Sequence, residues 1–221
     1  MSGARLTPLQ ERVLRTLAAL TPPWTLTGGA ALTAVHLGHR GTRDLDLFWR
    51  QREKLGDLVR DAVSAAREDG LQVETLRTAP AFAQLRVEDG REVCMVDLVA
   101  EPFGPIEPPQ KVEIGGAQIA VDSAHEILVN KLTTLLNRSE LRDLVDVKGL
   151  LDAGGDLDRA IEQAPQKDGG FSPLTLAWVL KDLDPEPAAR ALGWDDAQTK
   201  AIAVFLESLV QRLTAAGAPD Q

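Results

Sequence analysis

The sequence predicts an α+β fold in which a mixed sheet with flanking helices is followed by a bundle of helices. Strand-like and helix-like patterns alternate up to about residue 122, and only helical patterns follow. Of the 221 residues, 44% are hydrophobic and 26% are charged, which is a globular composition. We therefore expect two domains, an α/β core over residues 1–122 and a helical domain over residues 123–221.

The first part begins with a helix that Thr7 is placed to cap, with Pro8 at its first position and Gln10 completing a capping box. Helical spacing predicts further helices at about 30–37 and 54–68. Alternating or short apolar runs predict strands over residues 24–27, 44–49, 71–78, 81–88 and 91–100. Asp89-Gly90 predicts a hairpin turn between the last two of these strands, and a second hairpin is predicted over 111–123.

The second part contains only helical patterns, each preceded by a Ser or Asp that can act as an N-cap. These patterns predict helices over residues 123–137, 139–154, 156–164, 172–183 and 195–217. The shift from mixed patterns to helices alone is the reason for placing the domain boundary there.

Charge and composition narrow the range of functions. The 24 basic and 33 acidic residues give a net charge of −9, so the surface as a whole should repel polyanions, and nucleic acid would need a local basic patch. The single cysteine, Cys94, excludes an internal disulfide, and we expect it in the core rather than as a nucleophile. No apolar stretch is long enough to cross a bilayer and no signal core is visible, so we expect a cytoplasmic protein without a membrane partner.

Asp44 and Asp46 stand two residues apart in a predicted strand, which directs both carboxylates to one face. Such a pair repels unless a cation lies between the carboxylates, and Mg²⁺ prefers oxygen ligands that substrate phosphates complete. Gly28 and Gly29, at a predicted strand-to-helix turn, leave room for a phosphate to approach the backbone. An Asp-x-Asp alone also occurs in glycosyltransferases and calcium loops, so the glycines matter to the argument.

Asp97 lies in an otherwise apolar strand, where a carboxylate is costly unless it is paired or bound to a metal. It is the candidate third carboxylate for a two-metal site.

The run from Gly28-Gly29 through a helix to HRGTRDLDLF resembles the signature of polymerase-β-like nucleotidyltransferases, and most closely that of the AbiEii/AbiGii toxins. The segment KLTTLLNRSELRDLVDVKGLL, residues 131–151, is similar to the helical motif of that family. Together the two motifs cover about residues 24–151. The resemblance implies a polymerase-β-like nucleotidyltransferase core followed by the C-terminal helical bundle.

The resemblance also implies roles for individual residues. Asp44, Asp46 and Asp97 would ligate Mg²⁺, Lys131 would contact nucleotide phosphates, and Asp143 or Asp146 would add a catalytic carboxylate. The remaining candidates for substrate binding are Gly28, Gly29, Arg40, Thr42, Arg43, Arg138 and Arg142. Ion pairing of Arg138 and Arg142 with nearby acids is the structural alternative.

The function implied is transfer of a nucleoside monophosphate from an NTP to an RNA, such as a tRNA 3′ end, or to a protein. Related toxins belong to type IV toxin–antitoxin systems, so a cognate antitoxin is an expected partner. A small acceptor such as an aminoglycoside, or a non-catalytic member that binds a nucleotide or a partner, are the alternatives. Any RNA contact would have to come from a localised basic patch. The densest basic sites near the motifs are Arg40, Arg43, Arg50 and Arg52 on one side and Lys131, Arg138 and Arg142 on the other.

Overall fold

The computed structural model describes residues 6–38 and 41–218. Within these ranges the chain forms nine α-helices and a seven-stranded mixed sheet, which confirms the predicted α+β class. The chain divides into two compact units, Met1–Ser123 and Ala124–Gln221.

Unit 1 contains the sheet and three helices, in the following order. The elements are α1 (Pro8–Leu17), β1 (Thr25–Thr27), α2 (Gly28–Ala31) continuing as a π-helical turn over Leu32–His36, β2 (Asp44–Arg50), α3 (Leu58–Glu68), β3 (Gln72–Ala79), β4 (Phe82–Glu88), β5 (Val93–Glu101), β6 (Gln110–Ile114) and β7 (Ala117–Val121).

The sheet has the strand order β3-β4-β5-β2-β1-β7-β6. Strand β2 pairs in parallel with β5, and β1 pairs in parallel with β7, whereas the other neighbours are antiparallel. The two central strands β2 and β5 are therefore neighbours although about 50 residues separate them in sequence.

The two faces of β2 and β5 differ in burial. Leu45, Leu47 and Trp49 are almost fully buried on one face of β2, as are Val96 and Leu98 of β5. Helix α1 contacts β5 and α3, and its own apolar side chains are buried. The other face of both strands is only half-buried, and it carries Asp44 and Asp46 of β2 and Asp97 of β5 among apolar side chains such as Met95 and Val99.

Helix α1 has the predicted N-terminus: the Thr7 hydroxyl oxygen accepts from the backbone N–H of Gln10, and Gln10 Oε1 accepts from the backbone N–H of Thr7. The Gln10 amide also donates to the backbone oxygen of Thr42 at 2.9 Å. Gln10 thereby links α1 to the segment that leads into β2.

Unit 2 is helical, as predicted. Its elements are α4 (Ala124–Asn137), α5 (Leu141–Asp152), α6 (Leu157–Gln163) followed by a 3₁₀ turn over Ala164–Gln166, α7 (Pro173–Lys181), α8 (Pro185–Ala191) and α9 (Asp196–Ala216). A buried ion pair, Lys167 to Glu126 at 2.7 Å, joins the segment after the 3₁₀ turn to α4.

Two helices differ from the sequence prediction. Helix α8 was not predicted, because Pro185 and Pro187 mask its pattern; Asp184 caps it by accepting from the backbone of Glu186. Helix α3 begins at Leu58 rather than near residue 54.

In the described part of the chain, no helix combines the length and apolar character that a bilayer crossing requires.

Candidate active site

Asp44 and Asp46 lie on the half-buried face of β2, with Leu45 buried between them on the opposite face. Two residues of a strand rise about 6.6 Å, so the two side chains stand next to each other along one strand. The period-two alternation in the sequence predicted this arrangement.

Asp97 of β5 is the direct register partner of Asp46 in the parallel pair β2–β5. Adjacent strands lie about 4.8 Å apart, and both residues belong to the half-buried faces of their strands. The structure therefore brings Asp44, Asp46 and Asp97 together on one face of the sheet, which we call the acidic face.

Gly28 follows β1 directly and lies against Asp46. Its φ of +64° is unfavourable for residues with a side chain, and a Cβ at this position would overlap Asp46 Oδ2 and lie 2.9 Å from Asp46 Cγ. The neighbouring Thr27 is the register partner of Asp46 in the antiparallel pair β1–β2. The glycine turn and the second aspartate of the motif thus form one packed unit.

Gln84 of β4 also belongs to this face, although the sequence analysis did not single it out. It is the register partner of Asp97, and its Nε2 donates to Asp97 Oδ1 at 2.9 Å. In the sequence, a glutamine at such a position looks like an ordinary solvent-exposed strand residue. The one sequence feature that could have pointed to its role is its place in the strand that pairs with the strand of Asp97.

The acidic face fits Mg²⁺ by the chemistry of its donors, which are carboxylate oxygens. Among residues 6–38 and 41–218, no three His, Cys, Asp or Glu side chains converge as a ready-made cation-binding group. Mg²⁺ is commonly held by one or two carboxylates together with water and substrate phosphates rather than by a cage of protein ligands. A pair such as Asp44 and Asp46 meets that requirement.

The segment before β2 carries three predicted substrate-binding residues. Arg40 lies outside the described residues, and Arg43 is exposed. The Thr42 hydroxyl accepts from the backbone N–H of Asp44 at 3.2 Å, so it supports the start of β2.

Gly29 follows Gly28 at the beginning of α2, and its carbonyl accepts from the Thr33 hydroxyl at 2.8 Å.

Arg50, at the end of β2, was expected to contribute to a surface patch for RNA, and that expectation was wrong. Its side chain is only 7% exposed and forms ion pairs with Glu101 and Asp122. Glu101 is its register partner on β5, and Asp122 follows β7 and is fully buried. The buried ion pairs of Arg50 therefore link β2 to β5 and to the residue that follows β7.

Lys131 of α4 is buried in unit 2 between two carboxylates of α5. Its Nζ lies 2.7 Å from Asp143 Oδ1 and 2.8 Å from Asp146 Oδ2, and both aspartates are almost completely buried. Burial alone would lower the pKa of Lys131, but the charges of Asp146 and Asp143 outweigh it and raise the pKa above its ordinary value. The structure thus brings three of the predicted motif residues into one cluster.

Arg138 and Arg142 do not continue the α4 surface on which Lys131 lies. Helix α4 ends at Asn137 and α5 begins at Leu141, in agreement with the two separate helices predicted from the sequence. Arg138 donates to Asp143 at 3.2 Å, and Arg142 donates to Glu140 at 3.0 Å. Both arginines pair with neighbouring acids while their side chains remain more than half exposed.

Cys94 is buried, as expected, on the face opposite the aspartates. Burial raises the pKa of its thiol to about 12, and the nearby Asp44 carboxylate adds to the shift. A thiol with this pKa is protonated at neutral pH, which excludes it as a nucleophile.

The family model described as "Nucleotidyl transferase AbiEii toxin, Type IV TA system" matches residues 12–214. The chain belongs to the AbiEii nucleotidyltransferase toxin family. Both the acidic face of unit 1 and the Lys131 cluster of unit 2 fall within the matched range. The resemblance inferred from the sequence motifs is thereby confirmed at the level of the family.

Two solved structures from Helicobacter pylori share the fold of this AbiEii family member. The crystal structure of a putative nucleotidyltransferase has 20% sequence identity and a TM-score of 0.54, and the match covers 94% of this chain and 96% of that protein's chain. The crystal structure of JHP933 has 21% identity and a TM-score of 0.52, covering 91% of this chain and 88% of its own. No curated protein sequence matches the chain.

Proposed function

We propose that this AbiEii family member transfers a nucleoside monophosphate from an NTP to an acceptor, with the acidic face as the reaction site. The observation that carries the proposal is the meeting of Asp44, Asp46 and Asp97 on one face, with Gly28 packed against Asp46. Carboxylates in such proximity repel one another, and a divalent cation bound between them would relieve that repulsion.

In the proposed reaction an acceptor hydroxyl oxygen attacks the α-phosphorus of the NTP. A new P–O bond forms, the bond between the α-phosphorus and the bridging oxygen breaks, and pyrophosphate leaves while the hydroxyl proton passes to a base. Mg²⁺, when bound, supplies charge stabilisation for the attacking and leaving oxygens. Asp44 and Asp46 would hold it, and Asp97 would be the third carboxylate ligand. The glycine turn would leave the backbone open to phosphate.

Lys131 would contact the phosphates of the nucleotide while retaining its two carboxylate partners. An ammonium group has three N–H donors, and Asp143 and Asp146 use two of them in the distances above. Its side chain keeps 11% exposure, so the third donor is the one available to a ligand. Asp143 or Asp146 remains the proposed additional carboxylate of the reaction.

The acceptor that the family suggests is an RNA, such as a tRNA 3′ end, or a protein, and the chain would act as the toxin of a type IV toxin–antitoxin system with a cognate antitoxin. The charge of the protein limits how many RNA phosphates it can contact. The net charge is −9, and the Arg50 guanidinium already forms buried ion pairs with Glu101 and Asp122. The same observation favours a small cationic acceptor, such as an aminoglycoside, as the second candidate. A non-catalytic member that binds nucleotide or a partner is the remaining alternative.

A side-by-side transfer assay tests the proposal. Each α-labelled NTP is incubated with the protein, Mg²⁺ and one of three acceptor pools: tRNA, total protein or aminoglycosides. Labelling of tRNA or protein that disappears in the Asp44→Asn/Asp46→Asn variant supports the toxin reaction. Labelling of the aminoglycosides alone supports the second candidate, and no labelling in any pool contradicts a transferase acting on these acceptors.

A further inference from the structure

Thr27, the last residue of β1, lies on the acidic face. It is the register partner of Asp46 in the antiparallel pair β1–β2, and residues opposite each other in such a pair carry their side chains on one face with Cβ atoms about 5 Å apart. Asp97 is the register partner of Asp46 on its other side, in β5. Thr27, Asp46 and Asp97 therefore form a row across three adjacent strands, with Asp46 in the middle.

The Thr27 side chain is buried, but the fold makes no use of its hydroxyl. The residue is only 4% exposed. It directly precedes α2, yet its side chain forms no capping hydrogen bond, and within residues 6–38 and 41–218 no protein group donates to or accepts from the hydroxyl. Buried side-chain polar atoms usually have a hydrogen-bond partner. An unpartnered hydroxyl on a face that carries carboxylates therefore points to a ligand as its partner.

A phosphate oxygen is the partner that suits this hydroxyl best. The hydroxyl has one O–H to donate, and a hydrogen bond to a charged acceptor is stronger than one to a neutral acceptor. A divalent cation held by Asp44 and Asp46 would bring substrate phosphates to this face, because Mg²⁺ is commonly bound by one or two carboxylates together with phosphates. Gly28 and Gly29 follow Thr27 directly, and neither has a side chain that could cover the hydroxyl.

We infer that Thr27 is a substrate-binding residue whose hydroxyl donates a hydrogen bond to the triphosphate of an NTP bound beside Asp46. The inference rests on the proposed function and adds a residue to its binding site. A hydrogen bond that forms only with the ligand contributes to the affinity for that ligand and not to the stability of the free protein. Affinity and stability should therefore respond differently when the hydroxyl is removed.

Thr27→Val tests the inference because valine keeps the branched shape of the side chain and removes the donor. Calorimetry in the presence of Mg²⁺ measures the binding of each of the four NTPs and of inorganic tripolyphosphate, which has no nucleoside. We expect the affinity for the bound NTP and for tripolyphosphate to fall about 10-fold or more, as for one hydrogen bond to a charged group. Thr27→Ser, which keeps the hydroxyl, should bind both as the parent does. Unchanged affinity of Thr27→Val, or a loss for the NTP alone, would overturn the inference.

Two further measurements separate a contact with the triphosphate from other roles of Thr27. Titration of the full chain with Mn²⁺ in the absence of nucleotide, followed by electron paramagnetic resonance of free Mn²⁺, should give parent-like affinity for Thr27→Val. Urea unfolding should show a midpoint equal to that of the parent or higher, because the substitution breaks no hydrogen bond of the free protein. Weaker Mn²⁺ binding, or a clearly lower midpoint, would overturn the inference in favour of a role in the cation site or in the fold.

Thr25→Val is the matched control. Thr25 lies two residues earlier on the same face of β1 and is also buried, at 7% exposure, but it is opposite Phe48 instead of an aspartate. This variant should bind the NTP and tripolyphosphate as the parent does, and a loss equal to that of Thr27→Val would overturn the inference. Thr27→Ala serves as a second variant if the valine variant does not fold. Parent-like NTP binding by Asp44→Asn/Asp46→Asn would instead contradict the proposed site itself.

Discussion

Gly28 and Asp46 are packed so closely that no side chain fits on Gly28 without displacing the Asp46 carboxylate. The two residues are 18 positions apart: Gly28 begins α2 directly after β1, and Asp46 lies within β2. Their contact explains in physical terms why a glycine turn and an Asp-x-Asp strand occur together in this chain.

Gly28→Ala should weaken the binding of cation and nucleotide, whereas its unfolding free energy should fall only by the cost of the backbone conformation. The positive φ costs an alanine about 1–2 kcal/mol of unfolding free energy, and the added methyl forces the Asp46 carboxylate to move. Gly56→Ala is the control, because Gly56 has a similar φ of +57° and a Cβ added there would meet nothing within 4 Å. Urea unfolding should show comparable losses for both variants, whereas Mn²⁺ titration should be weakened only by Gly28→Ala. Equal Mn²⁺ affinity in the two variants would contradict a role of this contact in the site.

Much of this site follows from local patterns, and the rest depends on pairings that a single sequence does not display. Alternation placed Asp44 and Asp46 on one face, and the apolar neighbours of Asp97 marked it as unusual. The pairing of β2 with β5 was not readable, and the Asp89-Gly90 turn predicted that β4 and β5 pair without giving the register that places Gln84 opposite Asp97, so the contribution of Gln84 was missed. Tertiary pairing also explains the error on Arg50, whose partners Glu101 and Asp122 are 51 and 72 residues away.

Arg50→Met should destabilise the protein by about 3–5 kcal/mol, because it leaves the buried carboxylate of Asp122 without this cation. Arg60→Met is the control: Arg60 is 69% exposed and its ion pairs with Asp57 and Asp61 lie at the surface, so the change should cost less than about 1 kcal/mol. Chemical denaturation of both variants measures the difference. Similar small losses would show that the Arg50 pairs contribute little to stability.

Lys131→Met should be similarly destabilising, by about 3–5 kcal/mol near neutral pH, because Asp143 and Asp146 would lose the ammonium group buried between them. Lys148→Met, which removes an ion pair to the exposed Asp152, is the control and should cost less than about 1 kcal/mol.

The effect of Lys131 should also depend on pH. Its pKa in the folded protein is raised above the ordinary 10.5. The stability contributed by the charged form is therefore fully present below pH 10.5 and is lost as the pH rises through the folded pKa. Unfolding free energies of the parent and Lys131→Met, measured from pH 8 to pH 12, should differ by a constant amount up to about pH 10 and by a smaller amount as the pH rises above 10.5. A constant difference over this range would contradict stabilisation by the charged form.

Binding of NTP and Mg²⁺ by Asp44→Asn/Asp46→Asn, measured by calorimetry, tests the central claim most directly. Asp57→Asn/Asp61→Asn is the matched control, because it removes the same two charges from exposed positions at the start of α3. We expect the first variant to lose Mg²⁺-dependent NTP binding by orders of magnitude, with an unchanged or higher melting temperature because the two carboxylates no longer repel each other. The control should bind as the parent does. Parent-like binding of NTP and Mg²⁺ by the Asp44→Asn/Asp46→Asn variant would contradict the account.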